Sequence, residues 1–124
     1  MVTVALDAMG GDYSPEEIIK GAFDALKKDK DINVILVGKK EVLEGKVIKE
    51  FEDRCSVVYS TEVITNEEAP VAAIRAKKDS SIVVGMNLVK EGKADGFVSA
   101  GSTGAVLVGG QLIVGRIKGI LLSL

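Results

Sequence analysis

The sequence predicts an α/β fold built on a mainly parallel sheet, and three observations carry that reading. Short apolar runs rich in Val, Ile and Leu alternate with longer segments whose apolar residues recur at helical spacing. The short runs lack the in–out alternation of half-exposed strands, as expected where both faces of a sheet are covered. Two of the runs end in glycine-rich turns, Asp7–Asp12 and Ser99–Gly104, as strands that feed helices commonly do. A length of 124 residues fits a single α/β domain spanning 1–124, with no internal repeat or linker.

Val2–Leu6 reads as the first buried strand. Ser14-Pro15-Glu16-Glu17 then carries a capping hydroxyl, a proline suited to a first helical turn and two carboxylates at the positive dipole end. Ile18, Ile19, Ala22, Phe23 and Leu26 form the inward stripe of that helix. Asn33–Val37 is the second strand, closed by Gly38. Val42, Leu43, Val47, Ile48 and Phe51 predict a helix over Glu41–Asp53, and Ser56–Tyr59 a third strand followed by a polar loop through Asn66. Pro70–Lys77 is read as a short helix. Asp79-Ser80-Ser81 caps a longer one that runs to about Glu91 and stops at Gly92. Asp95–Ser99 gives a fourth strand, and Gly101-Ser-Thr-Gly104 turns into an apolar helix over Ala105–Val114. The order βαβαβααβα suits a parallel sheet with helices on both faces.

Composition narrows the chemistry. Hydrophobic residues make up 47% and charged residues 27%, a globular balance. Sixteen basic and eighteen acidic residues give a net charge of −2, against the basic face of a nucleic-acid binder. The acidity lies in residues 1–62, with 9 basic and 13 acidic side chains, whereas residues 63–124 carry 7 and 5. There is no histidine, which excludes Ser-His and Cys-His catalysis and histidine metal sites. The single Cys55 forms no internal disulfide and no thiolate cluster, and reads as a small apolar filler in a reducing, cytoplasmic setting. No basic n-region precedes the first apolar run, and the run Ala105–Gly115 is too short for a membrane span, which needs about 20 residues. Tyr13 and Tyr59 read as packing residues with one wet end.

Ligands of open parallel sheets bind beyond the carboxyl ends of the strands, where both glycine-rich turns fall. In the second turn, Gly101 and Gly104 allow close backbone approach. Ser99, Ser102 and Thr103 supply hydroxyls, and the following helix offers free N–H groups. That set suits phosphate or another anion, and equally an ordinary strand-to-helix turn with a Ser/Thr cap. In the first turn, Asp7 and Asp12 flank Gly10 and Gly11. Two carboxylates repel an unaccompanied phosphate; they suit a metal, the orientation of a lysine, or fixing of the loop through backbone N–H bonds. Two carboxylates are few ligands for a metal, which makes it the weakest option. Arg75, Lys77 and Lys78 form a basic cluster suited to clamping phosphate, docking an acidic partner, or capping a solvated helix end. Neither nucleotide-binding glycine pattern is present.

Three stretches carry a family resemblance: Leu6-Asp-Ala-Met-Gly-Gly-Asp12, Ala73-Ile-Arg-Ala-Lys-Lys-Asp-Ser-Ser81, and Gly92-Lys-Ala-Asp-Gly-Phe-Val-Ser-Ala-Gly-Ser-Thr-Gly-Ala105. In order, from about Val2 to Ile120, they resemble the N-terminal part of the PlsX-type phosphate acyltransferases of bacterial phospholipid and fatty acid synthesis. The resemblance implies a Rossmann-like three-layer α/β/α sandwich, a homodimer, and formation of acyl phosphate from inorganic phosphate and acyl-[acyl carrier protein]. It implies a cytoplasmic protein with peripheral membrane contact at most, and no cofactor. Tyr13 stands where the family usually has histidine, and Ser102 where asparagine is more usual. Family members are considerably longer, so the chain looks like a truncated member.

Under that resemblance Asp7, Ser102 and Thr103 are the catalytic candidates. Gly10, Gly11, Asp12, Ser99, Gly101, Gly104, Arg75 and Lys77 are the candidates for holding phosphate and substrate. Phosphate, with a second pKa of about 6, is largely dianionic at neutral pH and needs no histidine base. A thiolate of pKa about 8.5 leaves a thioester with little acid help. The protein's task is then positioning and charge stabilisation. The alternative is a non-catalytic fragment that binds an anion or the carrier protein. A phospho-receiver domain ranks third, because Val57-Val-Tyr-Ser60 offers no aspartate at the end of strand three. An incomplete sheet with an acid-free apolar tail further predicts self-association.

Overall fold

A computed structural model describes residues 1–9, 15–65, 67–101, 103–114 and 120–123. Its sheet holds five parallel strands in the order β3-β2-β1-β4-β5. They are β1 Val2–Asp7, β2 Ile32–Gly38, β3 Cys55–Tyr59, β4 Gly96–Ser99 and β5 Ile120–Ser123. The helices are α1 Pro15–Lys28, α2 Lys40–Leu43, α3 Pro70–Ala76, α4 Ser81–Lys90 and α5 Thr103–Gly109. The α/β class and the parallel sheet expected from the sequence are therefore what the chain forms. Among the described residues no helix is long and apolar enough to cross a membrane.

Side chains of β1 and β2 alternate between two cores, as the period of a strand requires. On one face Leu36, Val34 and Ala8 pack with Ile19, Ala22 and Leu26 of α1, with Leu43 of α2, and with Phe51 and Cys55. On the other, Ala5 and Val37 pack with Ala73 and Ile74 of α3, Ile82, Met86 and Val89 of α4, Phe97, and Ala105 and Val106 of α5. Three layers result: α1 and α2 on one side, α3, α4 and α5 on the other, the sheet between them. The chain reaches β3 at one edge and returns through α3 and α4 to place β4 against the free side of β1.

Several local signals act as read. The Ser80 hydroxyl caps α4 by accepting the Val83 N–H at 3.2 Å, and Gly92 follows that helix at φ +78°. Acidic Glu16 and Glu17 sit in the first turn of α1, and Lys27 and Lys28 in its last. The carboxyl end of α1 gains a further cation. Arg54, just before β3, donates to the carbonyls of Leu26 at 2.6 Å and of Asp29 and Ile32 at 3.1 Å. Those carbonyls include one that the helix itself leaves unpaired.

Three expectations need correction. The helix read over Glu41–Asp53 is instead α2, four residues long, and a separate 3₁₀ turn at Lys49–Phe51. Gly45 at φ +75° ends α2, so the apolar spacing across it is not one helical stripe. Leu43 and Phe51 still reach the core, but Ile48 is 44% exposed. Phe51 stacks on Phe23 of α1 with centroids 5.4 Å apart. The helix read over Ala105–Val114 is α5 followed by a π-helical turn at Gly110–Val114, the change falling at the Gly109-Gly110 pair. Third, Ile120–Ser123, read as tail, is a fifth strand paired along β4.

Gly85 of α4 lies directly over Phe97 of β4, and a Cβ there would overlap the ring. Phe97 is fully buried. Gly85→Ala is expected to destabilise the fold by about 1–3 kcal/mol in urea unfolding, although alanine favours the helix by up to about 1 kcal/mol. Unchanged or increased stability would show that the helix and sheet can separate there at little cost.

Candidate functional site

Asp7 is the last residue of β1 and Ser99 the last of β4. The two strands pair in register, Val4 with Gly96 and Leu6 with Val98, so these two residues reach the same edge of the sheet together. The Ser99 hydroxyl donates to Asp7 Oδ2 at 2.7 Å. The other carboxylate oxygen of Asp7 accepts the Met9 N–H at 2.9 Å. Ser99 Oγ in turn accepts the Gly101 N–H at 3.0 Å. Each side chain thus folds the turn that follows it, two residues on, and one bond between them locks the two turns together. Asp7 is 1% exposed and Ser99 fully buried. A carboxyl group so enclosed requires such hydrogen-bond partners.

Two of the candidate residues find their partners within the turns. Both oxygens of Asp7 are engaged in fixing its turn, and the Ser99 proton and Gly101 N–H serve the same network rather than facing outward. Among the described residues no group of three acidic, cysteine or histidine side chains converges as a metal site would require. Gly10, Gly11, Asp12, Tyr13 and Ser102 lie outside the described residues. Thr103 begins α5, placing the opening of that helix immediately beyond the second turn. The first amides of a helix have no acceptor within it. Gly104 has a packing role, since a Cβ there would lie 2.6 Å from Pro70 Cγ at the start of α3.

The basic cluster is divided. Lys77 Nζ donates to Glu68 Oε2 and to the Val63 carbonyl, both at 2.9 Å. Glu68 Oε2 also accepts the Thr65 N–H at 2.8 Å, so this pair fixes the loop after β3. The Thr65 N–H and the Lys77 ammonium hold the Glu68 carboxyl below the usual glutamate range. Arg75 is exposed and lines, with Lys78 and Asn87, a depression of about 400 Å³ against Leu112 and Ile113. It does not line the cavity beside Asp7. Burial pushes the Cys55 thiol up to about 11, which leaves it a packing group.

A feature the sequence reading missed lies on the α1 side of the sheet. A groove of about 430 Å³ runs between α1 and the sheet, with Asp7 and Ala100 at one end and Ile32 and Val34 in its lining. Its signal in the sequence is slight: Gly21, Ala22 and Ala25 interrupt the bulky stripe of α1 with small residues.

Two expected outcomes follow from these contacts. Ser99→Ala removes a donor from a buried carboxylate and is expected to cost about 2–4 kcal/mol in urea unfolding. Asp7→Asn, whose amide can donate to Ser99 Oγ, is expected to cost less; an equal or smaller loss for Ser99→Ala would show that the bond is not needed. For Glu68, a carboxyl pKa lowered by folding stabilises the protein above its unfolded value and loses that effect as pH falls through the folded one. The difference in Tm between wild type and Glu68→Gln is therefore expected at pH 7 and expected to close well below about pH 4.3. A difference independent of pH would assign it to packing.

Comparison with known proteins reveals close relatives. A family model described as "Fatty acid synthesis protein" matches residues 2–121. The "Phosphate acyltransferase" of Thermoanaerobacter pseudethanolicus is 56% identical over 117 residues, covering 94% of this chain and 35% of that protein. The protein of the same name from Caldanaerobacter subterraneus is also 56% identical, with the same coverage. That of Clostridium kluyveri is 52% identical over 119 residues, again 94% and 35%. The chain spans about a third of the length of these curated relatives.

Proposed function

The chain belongs to the fatty acid synthesis protein family, and from that premise we propose that it is the phosphate-handling part of a phosphate acyltransferase. The acyl donor in this reading is acyl-[acyl carrier protein], the acceptor inorganic phosphate, and the product an acyl phosphate for phospholipid synthesis. The observation that carries it is the buried Asp7–Ser99 bond. It joins two glycine-rich turns between β1 and β4, where successive connections leave the central strand in opposite directions. In open α/β sheets that is where ligands bind.

The step needs no histidine. A phosphate oxygen attacks the thioester carbonyl carbon and a C–O bond forms. The C–S bond then breaks, and the departing thiolate takes a proton from solvent. Phosphate is already dianionic near neutral pH, and a thiolate leaves readily. What the protein contributes is position and donors for the developing oxyanion. The Thr103–Gly104 amides and the hydroxyls of Ser102 and Thr103 are the groups we assign to that role, and Gly10, Gly11 and Asp12 are assigned to holding phosphate. Asp7 and Ser99 hold the two turns in place. Arg75 is assigned to electrostatic attraction of the acidic donor, because it is exposed. A cytoplasmic, self-associating protein with at most peripheral membrane contact completes the proposal, supported by Leu107 at 66% and Leu112 at 54% exposure.

The chain's share of its relatives' length favours a second reading, a part that binds phosphate without turnover. One assay separates the two. Acyl phosphate formed from acyl-[acyl carrier protein] and phosphate is trapped with hydroxylamine, beside a full-length relative as control. Phosphate-dependent hydroxamate is expected for an active chain. Phosphate binding without hydroxamate selects the second reading, and absence of both from folded protein overturns each.

A further inference from the structure

We propose that the carboxyl ends of β2 and β3 form a second anion site, in which Lys39 and Ser60 hold the phosphoryl group of a phosphate or phosphate ester. Two side chains without a role in the fold meet there. Among the described residues three cations are half-buried, Lys39, Arg54 and Lys77. Arg54 is engaged with three carbonyls, and Lys77 with Glu68 and the Val63 carbonyl. The Lys39 ammonium has neither a carboxylate within ion-pairing distance nor a hydrogen bond among the described residues. A cation partly withdrawn from water in this way loses hydration with nothing in the chain to replace it. Ser60 is 2% exposed, and its Oγ is the one buried side-chain oxygen among the described residues without a hydrogen-bond partner. Buried polar groups of folded proteins are otherwise paired.

The two residues are neighbours. Gly38 pairs with Tyr59 across β2 and β3, and the Ser60 N–H continues that ladder by donating to the Gly38 carbonyl at 2.8 Å. Lys39 is still extended, at φ −68° and ψ 142°, so it stands beside Ser60 at the strand spacing of about 4.8 Å. Val37 and Val58, two residues earlier, pack on the side of α3 and α4, and strand alternation carries Lys39 and Ser60 to that same face. This is the edge at which open α/β sheets take ligands. Ser60 lies three strands from Ser99, about 14 Å across the sheet, so the site is separate from the one assigned to the reacting phosphate. Asp79, which accepts from Thr61 Oγ1 at 2.6 Å, lies beyond ion-pairing distance of Lys39. An ammonium and a hydroxyl are both donors, and a phosphoryl group brings several acceptor oxygens and the negative charge that Lys39 lacks. Ser60 is the covered member of the pair and Lys39 the wetter one, so the anion enters past the lysine. The site does not depend on the acyltransferase reading.

The test is an amide NMR titration of the 124-residue chain with inorganic phosphate and, separately, with ethyl phosphate. Saturable shifts of the Lys39 and Ser60 amides are expected with at least one of them. Tighter binding of the ester identifies an ester as the ligand, and otherwise the ligand is free phosphate. Lys39→Met and Ser60→Ala are each expected to weaken this binding by about tenfold. Lys39→Arg is expected to keep it within about threefold, and Lys30→Met, at the opposite end of β2, to leave it unchanged. Ser60→Ala is also expected to leave Tm unchanged or raised, because it removes a buried group that has no partner. A Tm lowered by about 4 °C or more would show that the hydroxyl already serves the fold and would overturn the proposal. Absence of shifts at Lys39 and Ser60 in folded protein, or binding indifferent to both substitutions, would overturn it as well. Shifts confined to Gly101–Gly104 would remove the second site and leave the phosphate reading of the turns standing. Shifts confined to Lys39 and Ser60 would do the reverse.

Discussion

A carboxylate with almost no exposure to water is the constraint around which this fold is arranged. Asp7 ends the central strand, and its solvation must be replaced by donors at fixed positions. Met9 supplies one from the turn that follows, and Ser99 supplies the other from the neighbouring strand. Meeting that demand sets the register of β1 against β4 at its outer end. It also orients Gly101 through the same hydroxyl, so two turns far apart in sequence become one rigid rim. The residues that shape this rim and those assigned to meet phosphate are therefore different. Side chains fix the turns, and the proposal leaves contact with a ligand to the backbone amides at the start of α5.

The same division runs through the charged groups. Lys77 and Arg75 look alike in sequence, two residues apart on one basic stretch. In the fold, Lys77 satisfies Glu68 and the Val63 carbonyl and so organises the loop after β3, while Arg75 remains at the surface. Arg54, unremarked among other surface charges, gathers three carbonyls at the end of α1 and ties that helix to the approach to β3. A cation's value here depends on which unpaired backbone groups lie within its reach, and that is set by the topology.

Much of the architecture was legible because it rests on local chemistry. Strands β1 and β2 announce themselves as nearly continuous β-branched and aliphatic runs, β3 and β4 as shorter apolar runs between turns, and α4 by a Ser80 cap and a Gly92 stop. The failures also have local causes. Gly45 was passed over inside an apolar spacing that imitates a helix, although its left-handed backbone ends one. Gly109-Gly110 loosens α5 into a π turn, and Ile120–Ser123 is too short a run to declare itself a strand without the partner it pairs with. At the candidate site, residue types near the two turns pointed to the end of the sheet where Asp7 and Ser99 lie. They did not reveal that Asp7 and Ser99 bond to each other, because that contact depends on the strand order. The groove was hidden for the same reason: it is formed by small residues on α1 and by three strands, β1, β2 and β4, that only the topology brings beneath them.

The Asp7–Ser99 bond spans 92 residues, and that separation bears on how the protein is made. Strands β1, β2 and β3 are complete by Tyr59 and can pair as they leave the ribosome, whereas β4 is not available until Gly96. Until then one side of β1 is an open edge and Asp7 must remain hydrated. Closing that edge is a long-range event, slow relative to the local pairing that precedes it. The rim at the end of β1 and β4 is thus absent from any chain synthesised short of β4, and it forms only when that strand docks. The shape of both turns and the completion of the sheet are coupled through a single hydroxyl.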